Sequence, residues 1–248
     1  MQEFYQTLFN RRDVRGEFTS QPVPDEVLAR LLVAAHHAPS VGLSQPWNFI
    51  VVRHAAVKKR VHDAFSRANE EAAERFESER RDHYRTLKLA GILEAPINLC
   101  VTCHRERGGD VVLGRTHQRD MDLYSTVCAV QNLWLSARAE NIGVGWVSII
   151  DPGELADILV LPQGVVPVAY LCLGYVKFFR DSPELEQRGW EKRLSLEGLV
   201  FEDEWGGAIN GSPLEKAVLE AQDWPKRFRQ RAQEKIPDPG QDPGESDQ

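Results

Sequence analysis

The sequence predicts a single helix-rich domain of α+β or mixed α/β class with four or five strands. Three observations lead there. A length of 248 residues fits one large domain or two small ones. Apolar residues recur at helical spacing in two segments, and short β-branched runs bounded by proline or glycine lie between them. No internal repeat is visible.

Taken in order, Glu3 to Phe9 reads as a short helix. Pro24-Asp25 opens an amphipathic helix whose Val27, Leu28, Leu31, Leu32 and Ala35 fall on one face, and Pro39 stops it. Asn48 to Val52, behind Pro46, is a buried strand. From about Ala55 to Leu93 the chain is charged and helix-favouring with few large apolar residues, which predicts an exposed helical pair, a lid or an excursion across a partner. Ile97 to Cys103 is a second strand. Met121 to Ala139 is apolar on nearly every side, as expected of a helix buried in a core or in an oligomer interface. Val144 to Ile150 and Val165 to Val176 add strands around a short helix at Gly153 to Leu159. From Ile236 onward, prolines, glycines and acids without a base predict a disordered tail, 236–248.

An apolar fraction of 42% and a charged fraction of 27% exclude wholesale disorder. Thirty basic against 37 acidic side chains give a formal charge of −7, so nothing draws the chain generally to nucleic acid or anionic membrane. The longest charge-free apolar stretch, Val165 to Val176, is about half a bilayer span and contains Pro167. Met1-Gln2-Glu3-Phe4 lacks the basic and apolar parts of a signal peptide, so a soluble, cytoplasmic protein is expected.

Several motifs carry no chemistry. Cys100-Val101-Thr102-Cys103-His104 matches the haem-attachment pattern, but on a strand its cysteines point to opposite faces and read as buried thiols. Cys128 and Cys172 also read as buried and reduced. Gly143-Val144-Gly145 runs from helix into strand, the reverse of a dinucleotide fingerprint. The seven histidines show no ligand spacing, and no metal site is expected.

Two segments are informative. In Arg11-Arg12-Asp13-Val14-Arg15, an extended chain puts Arg11, Asp13 and Arg15 on one face and Arg12 and Val14 on the other. Three forked, permanently charged donors in five residues suit a phosphate, although most such runs are solvated turns. Pro39 to Trp47 is a loop of small polar residues stiffened by two prolines, able to aim hydroxyl and amide groups at the edge of a heteroaromatic ring, or simply to connect helix to strand.

With Met121 to Ala139, Gly143 to Ser148, Leu173-Gly174-Tyr175 and Lys192-Arg193 following in order, the chain resembles the FMN-dependent nitroreductase superfamily over roughly residues 4–205. Asp13 where many members carry Ser, Ser44 where many carry Asn, Gly145 to Ser148, Leu87 to Pro96 and Trp190 to Leu194 look like its flavin-consuming branch, the 5,6-dimethylbenzimidazole synthases. That resemblance implies an α+β fold with a central mixed or antiparallel sheet flanked by helices, and an obligate homodimer with one FMN at each subunit boundary. It implies reduced FMN as substrate together with O2, fragmentation through a flavin C4a peroxide to the lower base of vitamin B12 and erythrose 4-phosphate, and a separate NAD(P)H flavin reductase as partner. The nitroreductase-like domain is then 1–205, with a helical lid at about 55–93 and a C-terminal helical extension at 206–235.

By the same resemblance, Arg11, Arg12, Arg15 and Arg193 hold the phosphate, Val14 runs alongside, and Gly174 gives close backbone approach. Ser40, Ser44 and Gln45 bond the ribityl chain or ring edge, and Lys88 the pyrimidine side. Asp13, kept ionised by the surrounding arginines, and Ser148, facing ring N5 from its strand, are the expected catalytic pair. Alternatively Asp13 orients Arg11 or Arg15 by a salt bridge, and Ser148 is a strand hydroxyl satisfied by backbone. An NAD(P)H-dependent nitroreductase or flavin reductase, and an idle FMN carrier, are the rival functions.

Overall fold

A computed structural model of the chain describes residues 2–229. The expected disordered tail and the last residues of the expected helical extension lie outside the described residues. Two compact units form, one of residues 11–192 and one joining residues 2–10 to those from 193 onward. The first helix, α1 (Gln2–Asn10), belongs with the C-terminal segment. The reason is aromatic: Tyr5 and Phe9 lie 4.4 and 5.7 Å from Trp224, and both also meet Phe228 of α9 (Lys226–Arg229). The helix α8 (Pro213–Ala221) opens with Ser212 accepting the Glu215 N–H, an N-cap.

In the larger unit, strands β1 (Trp47–Val52), β2 (Ile97–His104), β3 (Ile142–Val147) and β4 (Val165–Tyr175) form a sheet in the order β1-β2-β4-β3, every pair antiparallel. The strand read as Val144 to Ile150 starts two residues earlier and ends at Val147, so Ser148 lies beyond it. Period-2 alternation divides β2: Leu99 and Val101 enter one core, Cys100 the other. The first core is closed by α2 (Asp25–His36), through Leu28, Leu31 and Ala35, and by α5 (Met121–Ala139), through Ala129, Val130, Leu133 and Ala137. The second is closed by α3 (Ala55–Ala73) and α6 (Pro152–Leu159), whose Asp151 caps the Glu154 N–H.

Two expectations need correcting. α3 is a core helix: Val61, Ala64 and Phe65 are buried at helical spacing beneath a charged outer face. Only α4 (Ser78–Arg85) keeps the exposed character, and it is tied down by Tyr84, whose hydroxyl donates to Asn69 at 2.7 Å, and by Arg80, 4.4 Å from the Trp190 ring. Nor is α5 covered all round. Tyr124 (53% exposed), Val127 (42%), Cys128 and Gln131 form an open stripe at positions i, i+3, i+4 and i+7, so Cys128 is exposed while Cys172 is buried as expected.

Beyond β3 the sheet gains a short parallel neighbour. Asp13 bridges Val144, and the Val14 N–H donates to the Val144 carbonyl at 3.0 Å, which makes the antiparallel sheet mixed at this edge. Only a glycine opposite allows it: a Cβ on Gly145 would stand 2.0 Å from the Val14 carbonyl oxygen. Gly145→Ala should therefore lower stability by about 1–3 kcal/mol through forced displacement of this segment, read as a fall of several degrees in the thermal midpoint; an unchanged midpoint would refute the tight approach.

Candidate functional site

The alternation expected of the arginine segment is present. Arg12 and Val14 are buried, whereas Arg11, Asp13 and Arg15 are half-buried on the other face. Arg12 donates to the Arg11 carbonyl at 2.7 Å and to the Asp181 carbonyl at 2.5 Å. These carbonyl contacts take up part of the guanidinium that the sequence assigns to a phosphate, as expected of a cation sent inward by strand parity. The Arg11 guanidinium lies 4.5 Å from the centre of the Trp134 ring, a cation–π contact.

Arg15 pairs with one oxygen of Asp13 at 2.5 Å, and the Trp146 N–H donates to the other at 2.9 Å. Asp13 is thus ion-paired with Arg15, the contact named in one of the two readings the sequence left open. Its carboxyl sits above the usual carboxylate range, because loss of solvent at this site outweighs Arg15, the Trp146 N–H and Arg11. This corrects the expectation that neighbouring arginines would pull it down. The Arg15 Nε is buried with no hydrogen-bonding partner among the described residues, a donor available to a ligand.

Lys88 stands beside this segment. Its Cγ lies 3.9 Å from where a Cβ on Gly16 would be, and its ammonium pairs with Glu94. The stretch carrying it is anchored from below: the Asn98 amide donates to the Ile92 carbonyl at 3.0 Å, and the buried Lys58 ammonium donates to the Ala95 carbonyl. Burial pushes the Lys58 ammonium below its usual range. Gly91 abuts the segment directly, since a Cβ there would stand 2.6 Å from the Arg15 carbonyl oxygen.

The polar loop is built from a 3-10 turn at Val41–Leu43. Ser40 Oγ accepts the Gln45 N–H at 3.0 Å, Ser125 Oγ accepts the Val41 N–H at 3.1 Å, and the Trp47 indole donates to His36 at 3.2 Å. Ser44 Oγ is buried without a partner among the described residues. The sequence reading missed Arg107, which donates to the Gln45 and Trp47 carbonyls at 2.7 and 2.8 Å. A contact across about sixty residues leaves no local signal. Trp134 and Trp146, which flank the arginine segment, read only as core residues in their runs.

The remaining expected residues separate. Ser148 is exposed, just past the end of β3. Gly174 pairs with Gly143, and the space for its Cβ is filled by Pro96, 2.5 Å away, and Phe18, 3.1 Å away. Its lack of a side chain therefore serves packing against Pro96 and Phe18. Arg193 is an exposed residue of the terminal unit. Within the larger unit the serine loop precedes β1 and the arginine segment flanks β3, at opposite edges of the sheet. Four interstrand spacings, ~19 Å, divide them.

Two orphaned buried polar atoms, a pair of half-buried guanidiniums and a polar loop fit the phosphate and ring edge of FMN. Among the described residues no group of three or more metal-binding side chains converges, and no helix is long and apolar enough to cross a membrane.

Residues 8–175 match the Nitroreductase family. A 5,6-dimethylbenzimidazole synthase of Rhodospirillum rubrum is 43% identical over 183 residues, covering 74% of this chain and 86% of that protein. Another from Rhodobacter capsulatus is 39% identical over 187 residues, covering 75% and 90%. Among solved structures, a BluB-like flavoprotein from Clostridium difficile 630 superposes with a TM-score of 0.59 at 20% identity, covering 80% of this chain and 97% of that one, a likeness of fold.

The Asp13 environment has a signed consequence. With its carboxyl raised on folding, the native state keeps that proton to higher pH than the unfolded chain does. The contribution of this group to stability is therefore greatest below the ordinary carboxylate range, falls as pH rises through the folded value, and is flat above it. Urea unfolding across ~pH 4–8 should show wild-type stability declining relative to Asp13→Asn as pH rises; a gap that widens in favour of wild type would reverse the sign.

Proposed function

The chain belongs to the nitroreductase family and, within it, to the 5,6-dimethylbenzimidazole synthases, and we propose that it carries out their reaction with reduced FMN and O2 as substrates. The bound flavin and O2 supply the redox chemistry; the products are 5,6-dimethylbenzimidazole and erythrose 4-phosphate. The observation that carries this reading is Asp13, a carboxylate of raised proton affinity held between Arg15 and the Trp146 N–H. An anion beside a phosphate site repels that ligand, so apart from its pairing with Arg15 the carboxylate there is suited to act as a base on the ribityl chain.

Arg11 and Arg15 bind the FMN phosphate, with the orphaned Arg15 Nε available for one of its oxygens. Val14 lies alongside, and Lys88 serves the pyrimidine edge. Asp13 takes the proton from the ribityl C1′; burial raises its proton affinity above that of an ordinary carboxylate, which makes it a better base. Ser148, exposed at the end of β3, donates to ring N5. Ser40, Ser44 and Gln45 reach the flavin from a second copy of the chain.

A homodimer is supported on two grounds. The serine loop and the arginine segment lie at opposite sheet edges, so one flavin engages both only when two chains contribute. The open Tyr124, Val127 and Cys128 stripe of α5 supplies apolar surface for the contact. α4, held against Trp190, would serve as the lid that limits water entry, and a separate NAD(P)H flavin reductase would provide reduced FMN. Cytoplasmic chemistry fits this supply.

Aerobic incubation of the protein with FMN kept reduced by an independent reductase, followed by chromatography, should show dimethylbenzimidazole appearing as flavin disappears. Quantitative recovery of oxidised FMN would overturn the reading, and rapid anaerobic bleaching of bound FMN by NAD(P)H would replace it with nitroreductase activity. Asp13→Asn should bind FMN yet lose product formation by about 10²-fold or more; undiminished product from that variant removes Asp13 from the chemistry.

A further inference from the structure

We infer that Arg107 is a positioning residue that holds the Ser40–Gln45 loop in its FMN-binding conformation; the inference rests on the FMN reading above. The loop contains three backbones in the left-handed region: Gly42 at φ 54°, Leu43 at 52° and Gln45 at 47°. Leu43 and Gln45 carry side chains that disfavour that region, so the local sequence does not by itself hold the turn.

What holds it comes from the connection between β2 and α5. Arg107 Nη1 bridges the carbonyls of Gln45 and Trp47 at 2.7 and 2.8 Å, and Nη2 donates to Asn48 Oδ1 at 2.5 Å. One planar fork thus fixes the loop's exit at three acceptors. From the same connection Val112 presses under the turn: a Cβ on Gly42 would stand 2.8 Å from Val112 Cγ1 and 2.9 Å from the Leu113 carbonyl oxygen.

The clamp is itself rigid. Arg115 donates to the Arg105 and Gly109 carbonyls at 3.0 and 2.9 Å, and Arg105 pairs with the buried Asp122 at 2.9 Å. The product of this framework is the placement of Ser44, whose buried hydroxyl has no partner among the described residues, and of Gln45, whose carbonyl Arg107 engages. Arg107 touches neither flavin nor reacting atoms in this account; it acts through the loop.

FMN affinity tests the inference directly, by quenching of flavin fluorescence on titration with the full chain. Arg107→Ala should weaken FMN binding by about tenfold while circular dichroism stays near wild type and the thermal midpoint falls by a few degrees from the lost hydrogen bonds. Added methylguanidinium should restore affinity to this variant, and Arg107→Lys should recover only part of it, because an ammonium cannot fork across the same acceptors. Wild-type affinity in Arg107→Ala overturns the inference. So does a loss that methylguanidinium does not reverse and that comes with a reduced circular dichroism signal in both variants, since that is the mark of a residue needed only for folding. If the wild-type chain itself fails to bind FMN, the functional reading falls, and this inference with it.

Discussion

The edge pairing of residues 13–14 with β3 is the constraint on which the rest of the site depends. It exists because Gly145 leaves room for the Val14 carbonyl, and it fixes the parity of the whole arginine segment. Parity in turn decides which guanidiniums face inward to carbonyls and which stay on the ligand side, and it sets the Asp13 carboxylate beside the Trp146 N–H. A one-residue slip would exchange the roles of Arg11 and Arg12.

Around that edge, the protein invests in polar anchoring of backbone. Lys58 and Asn98 grip the carbonyls of the stretch that carries Lys88, and Arg107 grips those of the serine loop. In each case a long or amide side chain from one element immobilises an irregular segment from another. Binding groups on irregular segments can be as well placed as groups on strands when their carbonyls are held in this way.

Much of this was legible in the sequence. Periodicity located α2, α5 and β2, and a simple alternation gave the faces of residues 11–15, because strand and helix parity are local properties. The start of β3 was missed because Gly143 dilutes the β-branched signal. α3 was misjudged because Val61, Ala64 and Phe65 are few among many charges, although their spacing was visible. The direction of the Asp13 shift was misread for a different reason: charge neighbours can be counted along a chain, but loss of solvent depends on how distant segments close over the site. Arg107 was invisible on the same ground.

The thiols bear on oxygen chemistry. Burial drives the proton affinities of Cys100 and Cys172 up to about 12, and Cys103 is raised as well. Since the thiolate is the form that oxidants attack, these sulfurs stay inert close to a site proposed to handle O2. Cys128, on the open stripe of α5, has no such shelter in the single chain. In the homodimer proposed above, pairing through that stripe would shelter this sulfur, and dilution would turn a spectator into the first casualty of oxidative ageing.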